Sequence, residues 1–224
     1  MSVESEKRAP DLSSCLAVGV GSVLSVAFMA YHPTSGGGSM AEVVQEMTDE
    51  AAFNRTVHGT LVFLMVWVLF GLVDLARYLG WQHASVRAGM VAYAAGMLWL
   101  TGAALVSGLA VPGVAEAFVG EPESELGGLT FLFRLTWEMN QALANAGTVG
   151  WGIAIILLSV GLHKQGGSAR PIAWLGMFVG GAAGLGIVSG HLSLHLHGMM
   201  AVVLGVALWC IAVALWMFRL RQQA

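Results

Sequence analysis

Charge is what this chain has least of. Of its 224 residues only 10% are Asp, Glu, Lys or Arg, while 57% are hydrophobic. A soluble domain carries roughly 25% charged residues, so a surface wetted on all sides is excluded. Proline and cysteine are scarce too, at five and two residues. Few prolines leave long stretches free to be helical. Two cysteines exclude a disulfide framework, and neither Cys15 nor Cys210 stands in a ligand spacing. Both are expected to pack as small buried hydrophobes. There is no GxxxxGK[ST] phosphate loop, no Gly-x-Ser-x-Gly elbow and no His-Glu-x-x-His pair. No basic patch of the nucleic-acid-binding kind is present.

Long apolar runs are what the chain has in abundance. They fall at about 13–32, 57–79, 88–111, 143–162, 171–190 and 198–219. Each is close to the roughly 20 residues that a helix needs to cross a bilayer core. Only helices and closed barrels satisfy the backbone in hydrocarbon, and these runs are too long for barrel strands. The expectation is an all-α integral membrane protein, one domain of six transmembrane helices with the lipid bilayer as its solvent. The 30 glycines suit close helix contact within the chain, with partner membrane helices or with a second copy. Val106-Ser107-Gly108 and Val188-Ser189-Gly190 each end a Gly/Ala-rich run, and His58-Gly59 and His197-Gly198 each open one. A parse as three helical hairpins is compatible with this weak repetition.

The charges are segregated. Lys7, Arg8, Arg77, Arg87, Lys164, Arg170, Arg219 and Arg221 fall on one side of the spans, whereas Arg55 and Arg134 fall on the other with most of the acids. The positive-inside rule then places both termini in the cytoplasm, in a bacterial inner membrane. Glu4, Glu6 and Asp11 beside the first span argue for a retained helix, not a cleaved signal. Asp74 and Arg77 are expected to pair at i, i+3 near the inner interface. The outer segments are 33–56 and 112–142. Residues 33–39 form a breaker-rich loop, Met40 to Val57 reads as a polar amphipathic helix, and 129–145 either extends the fourth span outward or lies along the interface.

Five of the seven histidines map to the outer ends of spans: His32, His58, His191, His195 and His197. His191 and His195 would stack at i, i+4 on a helical face, and His197 follows in a turning link. Imidazole is the common ligand of Zn, Cu, Fe and Ni, so these five are the candidate set for a Cu or Zn ion at the non-cytoplasmic face. Met139, Met199 and Met200 would favour copper. Arg134, Glu138, Gln141, Asn145 and Thr148 recur as one stripe on the fourth span. In that stripe Glu138 is a candidate ligand or general base, or an i, i+4 partner of Arg134. A haem b reading competes, with His58 and His197 as axial ligands passing electrons to or from quinone. The third reading is a non-catalytic subunit or scaffold. No charge falls in the middle of a span, which argues against a proton pump or a channel lined by buried acids.

Overall fold

Helix is the form that apolar runs of this length must take in lipid, and it accounts for 86% of the structure, with no strand among the described residues. The computed structural model describes residues 8–32 and 38–223. Glu4, Glu6, Lys7 and most of the breaker-rich loop expected at 33–39 lie outside them. The elements are α1 (Leu12–Ala30), α2 (Met40–Asp49), α3 (Ala51–Leu79), α4 (Ala84–Leu105), a π-helical turn (Val106–Ala110), α5 (Val111–Ala117), a 3-10 turn (Glu123–Glu125), α6 (Gly127–Gln165), α7 (Ala169–Val188) and α8 (Leu196–Gln223). Six helices are long and apolar enough to cross a membrane, with α4, the π turn and α5 counting as one. We call the end that carries His32, His58 and His191 the upper end.

Neighbours in sequence are neighbours in space. The helices run alternately up and down, and α1 closes the circle by packing along both α3 and α8. Contacts are closest within two groups of three: α1, α3 and α8 form one, and α4, α6 and α7 the other. The seams between them, α3 against α4 and α7 against α8, are looser. Lipid supplies no hydrophobic drive for helices to associate, so close backbone approach has to provide dispersion contact instead. Glycine makes that approach possible. An added Cβ at Gly71 would lie 2.5 Å from the Ser14 carbonyl oxygen, and one at Gly96 would lie 2.8 Å from that of Gly147. The lower two thirds of the bundle fill with Leu72, Leu75, Leu158, Trp209 and Val213, all fully buried. Cys15 and Cys210 are free thiols inside this core.

Two elements depart from the sequence reading. The amphipathic helix from Met40 does not run on to Val57: α2 ends at Asp49, and Glu50 separates it from α3. Asp74 does not turn to Arg77. Its Oδ2 accepts from the Asp11 backbone N–H at 2.8 Å, tying the start of α1 to α3. Among the described residues the ion pairs are Arg8–Asp11 and Arg55–Glu116, so the Arg134–Glu138 pair does not form either.

Above the bundle, α2, α5 and the first turns of α6 make a small apolar cluster around Val44, Leu126 and Leu129. The α6 extension is a single helix, 39 residues in all, or about 58 Å at 1.5 Å per residue. That exceeds the bilayer, so its upper turns stand clear and α2 leans on them. The first turn of α2 is held twice. Ser39 and Glu42 form a reciprocal capping box, and the Glu123 carboxylate accepts from the N–H groups of Met40 and Ala41 at 3.2 and 3.0 Å. Replacing Glu123 with alanine leaves those donors to water and removes a negative charge from a helix N-terminus. At this exposed site the loss is worth about 1 kcal/mol. Amide exchange at Met40 and Ala41 should accelerate about fivefold while the melting temperature hardly moves; unchanged exchange would show that the clamp contributes nothing.

Candidate ligand cavity with a histidine pair

The site begins with a proline. Pro112 has no N–H, and in a regular helix its ring would collide with the carbonyl four residues back, at Gly108. The chain answers by widening the preceding turn: Val111 N–H bonds to the Val106 carbonyl, a π-helical step over Val106–Ala110. Such bulges recur at functional sites. Here the widened turn carries Gly108 against α3 beside the His58 ring. It also presents the Ser107 carbonyl sideways, where Asn54 Nδ2 donates to it at 3.1 Å.

Asn54 and His58 lie one turn apart on α3. His58 Nδ1 is 3.0 Å from the Asn54 carbonyl oxygen. A carbonyl can only accept, so Nδ1 carries the proton and Nε2 of the neutral ring is a lone pair. That Nε2 lies 3.2 Å from Nε2 of His32, at the upper end of α1. The rings meet edge to face with centroids 4.8 Å apart. A backbone carbonyl fixing one ring nitrogen is the arrangement that orients catalytic and metal-binding imidazoles. His58 is 6% exposed and His32 partly buried.

The pair forms part of the wall of a cavity of about 460 Å³, within the roughly 300–1,000 Å³ of small-molecule sites. The wall draws on both three-helix groups: α1, α3 and α8 from one, α4 and α6 from the other. On α6 it is met by Phe133, Trp137, Asn140, Gln141, Ala144 and Trp151; apart from the adjacent Asn140 and Gln141 their spacings are three, four or seven, which marks one helical face. Leu100 and Trp151 form the lower part, and Glu46 and Glu50 stand at the top. Gln141 also reaches the Leu194 carbonyl, at 3.4 Å, which fastens the α7–α8 link over the opening.

The sequence-predicted residues divide. His32 and His58 converge. His191, His195 and His197 are exposed and lie outside the lining. The i, i+4 stacking of His191 on His195 does not occur, because α7 stops at Val188 and Gly190 takes φ +73°. Leu192 N–H then reaches back to the Gly186 carbonyl, so 191–195 is extended link and not helix. His191 Nδ1 instead meets Ser189 Oγ at 3.0 Å. His195 stacks on Trp137 with centroids 5.4 Å apart. Among the described residues no three His, Cys, Asp or Glu side chains come together as a metal site. His58 and His197 differ in the same way, one buried in the wall and the other exposed. Glu138 and Arg134 are exposed and away from the cavity. Gln141 of the expected stripe does line the cavity, joined there by Trp137 and Asn140, and Thr148 is buried lower on the same helix. Asn54 and Gly108 complete the site. Their signals in the sequence were an Asn one turn before a His, and a Gly four residues before a Pro.

No protein family model, curated protein or solved structure matches this chain.

Proposed function

We propose that this membrane protein binds a small molecule in the upper cavity, with the polar end of that molecule held at the His32–His58 pair. The observation that carries this reading is the cavity itself. A space of about 460 Å³ is kept at the upper end of the bundle, between two tightly packed helix groups. Such space forfeits dispersion contact, and a ligand restores it. We read the upper end as the non-cytoplasmic side of a bacterial inner membrane, since the basic residues gather at the lower end. The three-hairpin origin of the bundle belongs with this reading as well.

His58→Phe tests it. Phenylalanine keeps the ring volume and removes both nitrogens. The expected result is that a long-chain alcohol bound by the wild-type protein, measured by native mass spectrometry, loses at least tenfold in affinity while the thermal melt stays close to wild type. Equal binding by the variant would remove the pair from the site.

A transition metal ion is the second reading, favoured by the pair alone. Two nitrogens 3.2 Å apart, each about 2.05 Å from a shared Zn or Cu ion, subtend roughly 100° at the metal, near the tetrahedral value. The second ring nitrogen of His58 is already fixed by a carbonyl. Copper or zinc would need its remaining ligands from the bound molecule or from water. Near-stoichiometric metal in purified protein, absent from His58→Phe, supports this reading; metal-free protein with full ligand binding refutes it. The haem b alternative has less behind it, because axial ligands stand about 4 Å apart on opposite sides of iron, and His197 is not in the wall.

A further inference from the structure

A second hollow lies on the outside of the bundle, at the opposite end from the histidine pair. It is a groove of about 360 Å³ between α1 and α8. One contact sets its register. An added Cβ at Gly19 would lie 3.2 Å from Cβ of Ala214, so these two residues face each other across the antiparallel helices. Seven residues below Gly19 is Leu12, where α1 starts, and seven below Ala214 is Arg221. The groove therefore begins at the lower end of the bundle. Along α1 its lining runs from Leu12 to Leu24, 12 steps or about 18 Å. One leaflet of the hydrocarbon core is about 15 Å deep, half of roughly 30 Å. The groove is thus about as long as the lower leaflet is deep.

Its cross-section narrows what can fill it. The floor is made of small residues: Cys15 and Ala214 are buried and Gly19 is half-buried. The walls are large: Leu16 and Val20 on one side, Leu215 and Phe218 on the other, all exposed. A partner helix needs small residues at the contact surface so that its backbone can approach. Here the walls hold a backbone away from the floor, whereas a slender hydrocarbon chain can reach it. The lining carries no charge and no hydrogen-bonding group besides the Cys15 thiol. An acyl chain laid in the groove supplies the dispersion contact that its floor otherwise forfeits.

The charge at the lower mouth selects among lipids. Arg219 follows Phe218 directly, and Arg221 stands level with Leu12. Both are exposed, and neither side chain has an ion pair among the described residues. The described acids at this end are Asp11 and Asp74. Arg8 pairs with Asp11 at 3.1 Å, and Asp74 Oδ2 accepts from the Asp11 backbone N–H. Against these two carboxylates stand four arginines, Arg8, Arg219, Arg221 and Arg77 three residues beyond Asp74. An anionic head at the mouth meets an excess of cation, worth about fivefold in affinity for each arginine beside it. A zwitterionic head carries its own counter-charge and gains less.

We propose that the α1–α8 groove holds one acyl chain of an anionic phospholipid of the lower leaflet, with the head group at Arg219 and Arg221. This goes beyond the upper cavity and does not depend on it. The test uses full-length protein in neutral detergent, with phosphatidylglycerol and phosphatidylcholine of identical acyl chains. Native mass spectrometry should show the anionic lipid binding at least tenfold more tightly. In the Arg219→Gln, Arg221→Gln double variant the two lipids should come within about threefold, with an unchanged melt. Lys164→Gln with Arg170→Gln removes the same charge from the α6–α7 turn, at the same end and outside the groove. That variant should keep the preference. Phosphatidylglycerol with a photoactivatable diazirine in its chain should label α1 between Leu12 and Leu24, and α8 between Ile211 and Phe218. Equal binding of the two lipids by wild-type protein would overturn the proposal. So would an equal loss of preference in both double variants, which would give the selectivity to the basic end as a whole. Labelling confined to other helices would overturn it as well. A dimer that forms without lipid and shields those residues from the label would give the groove to a second copy and refute the acyl chain.

Discussion

Alanine at Gly108 is expected to weaken binding in the upper cavity at least tenfold while leaving the six-helix bundle assembled. One methyl group is the whole of the change. Built on the existing backbone, it would lie 2.5 Å from Cβ and 2.6 Å from Cγ of His58. Neither atom is the free end of a flexible side chain. Cβ is fixed by the α3 backbone, and the ring is fixed by its bond to the Asn54 carbonyl. The π turn and α3 must then separate by about 1 Å, or His58 must leave its rotamer; such overpacking costs about 1–3 kcal/mol. Either route breaks the approach of His58 to His32 and stretches the Asn54–Ser107 bond. For hexadecanol the affinity should fall at least tenfold, with a melt lowered by only a few degrees. Gly113→Ala is the control, since nothing lies within 4 Å of a Cβ there. If Gly108→Ala binds like the control, the histidine pair does not form part of the site.

That prediction turns on the part of the molecule that was hardest to read from sequence. The helices were legible because lipid enforces one rule over 20-residue windows, and every expected span lies inside or within two residues of an observed helix. The upper extension of α6 was legible as helix, since no proline interrupts residues 129–162, but not in direction: outward continuation and a path along the interface fit the sequence equally. The site was legible only in its residue types. Histidines at the ends of spans marked the correct level of the bundle. Which of them meet depends on geometry finer than one turn. His191 and His195 have the right spacing for one helical face, but Gly190 takes a left-handed conformation and ends the helix before them. Between His32 and His58 lie a breaker-rich stretch and an amphipathic helix, neither of which says that the two rings meet; they do so because α1 and α3 pack antiparallel through Gly21 and Gly71. The inward face of α6 was displaced by a similar margin. Neighbouring positions on a helix differ by 100°, so a stripe through Arg134, Glu138 and Gln141 and a stripe through Trp137 and Gln141 look alike in sequence. Tertiary contact alone selects the second.

The bundle itself is predicted to fail at a single glycine. An added Cβ at Gly180 would lie 2.5 Å from the carbonyl oxygen of Gly152, and one at Gly152 would lie 2.7 Å from that of Gly180. Here backbone opposes backbone, so no side chain can give way. The branched side chain in Gly180→Val adds two further methyls to the same gap. The only relief is to move α7 off α6, and α6 is the spine of its three-helix group. The separation would forfeit the dispersion contacts of both helices over several turns, because helix packing in lipid has little else to draw on. A loss of about 3 kcal/mol or more is expected, seen as a melting temperature lower by roughly 5–10 °C and a reduced yield of folded protein. Gly181→Val makes the same chemical change one residue along the same helix, at a position with nothing within 4 Å. It should melt within about 2 °C of wild type, since its side chain meets lipid and the intrinsic propensity difference is small. Helix propensity or general hydrophobicity would move both variants alike. Only contact between α6 and α7 at Gly152–Gly180 separates them, and two equal melts would rule that contact out as the element holding the group together.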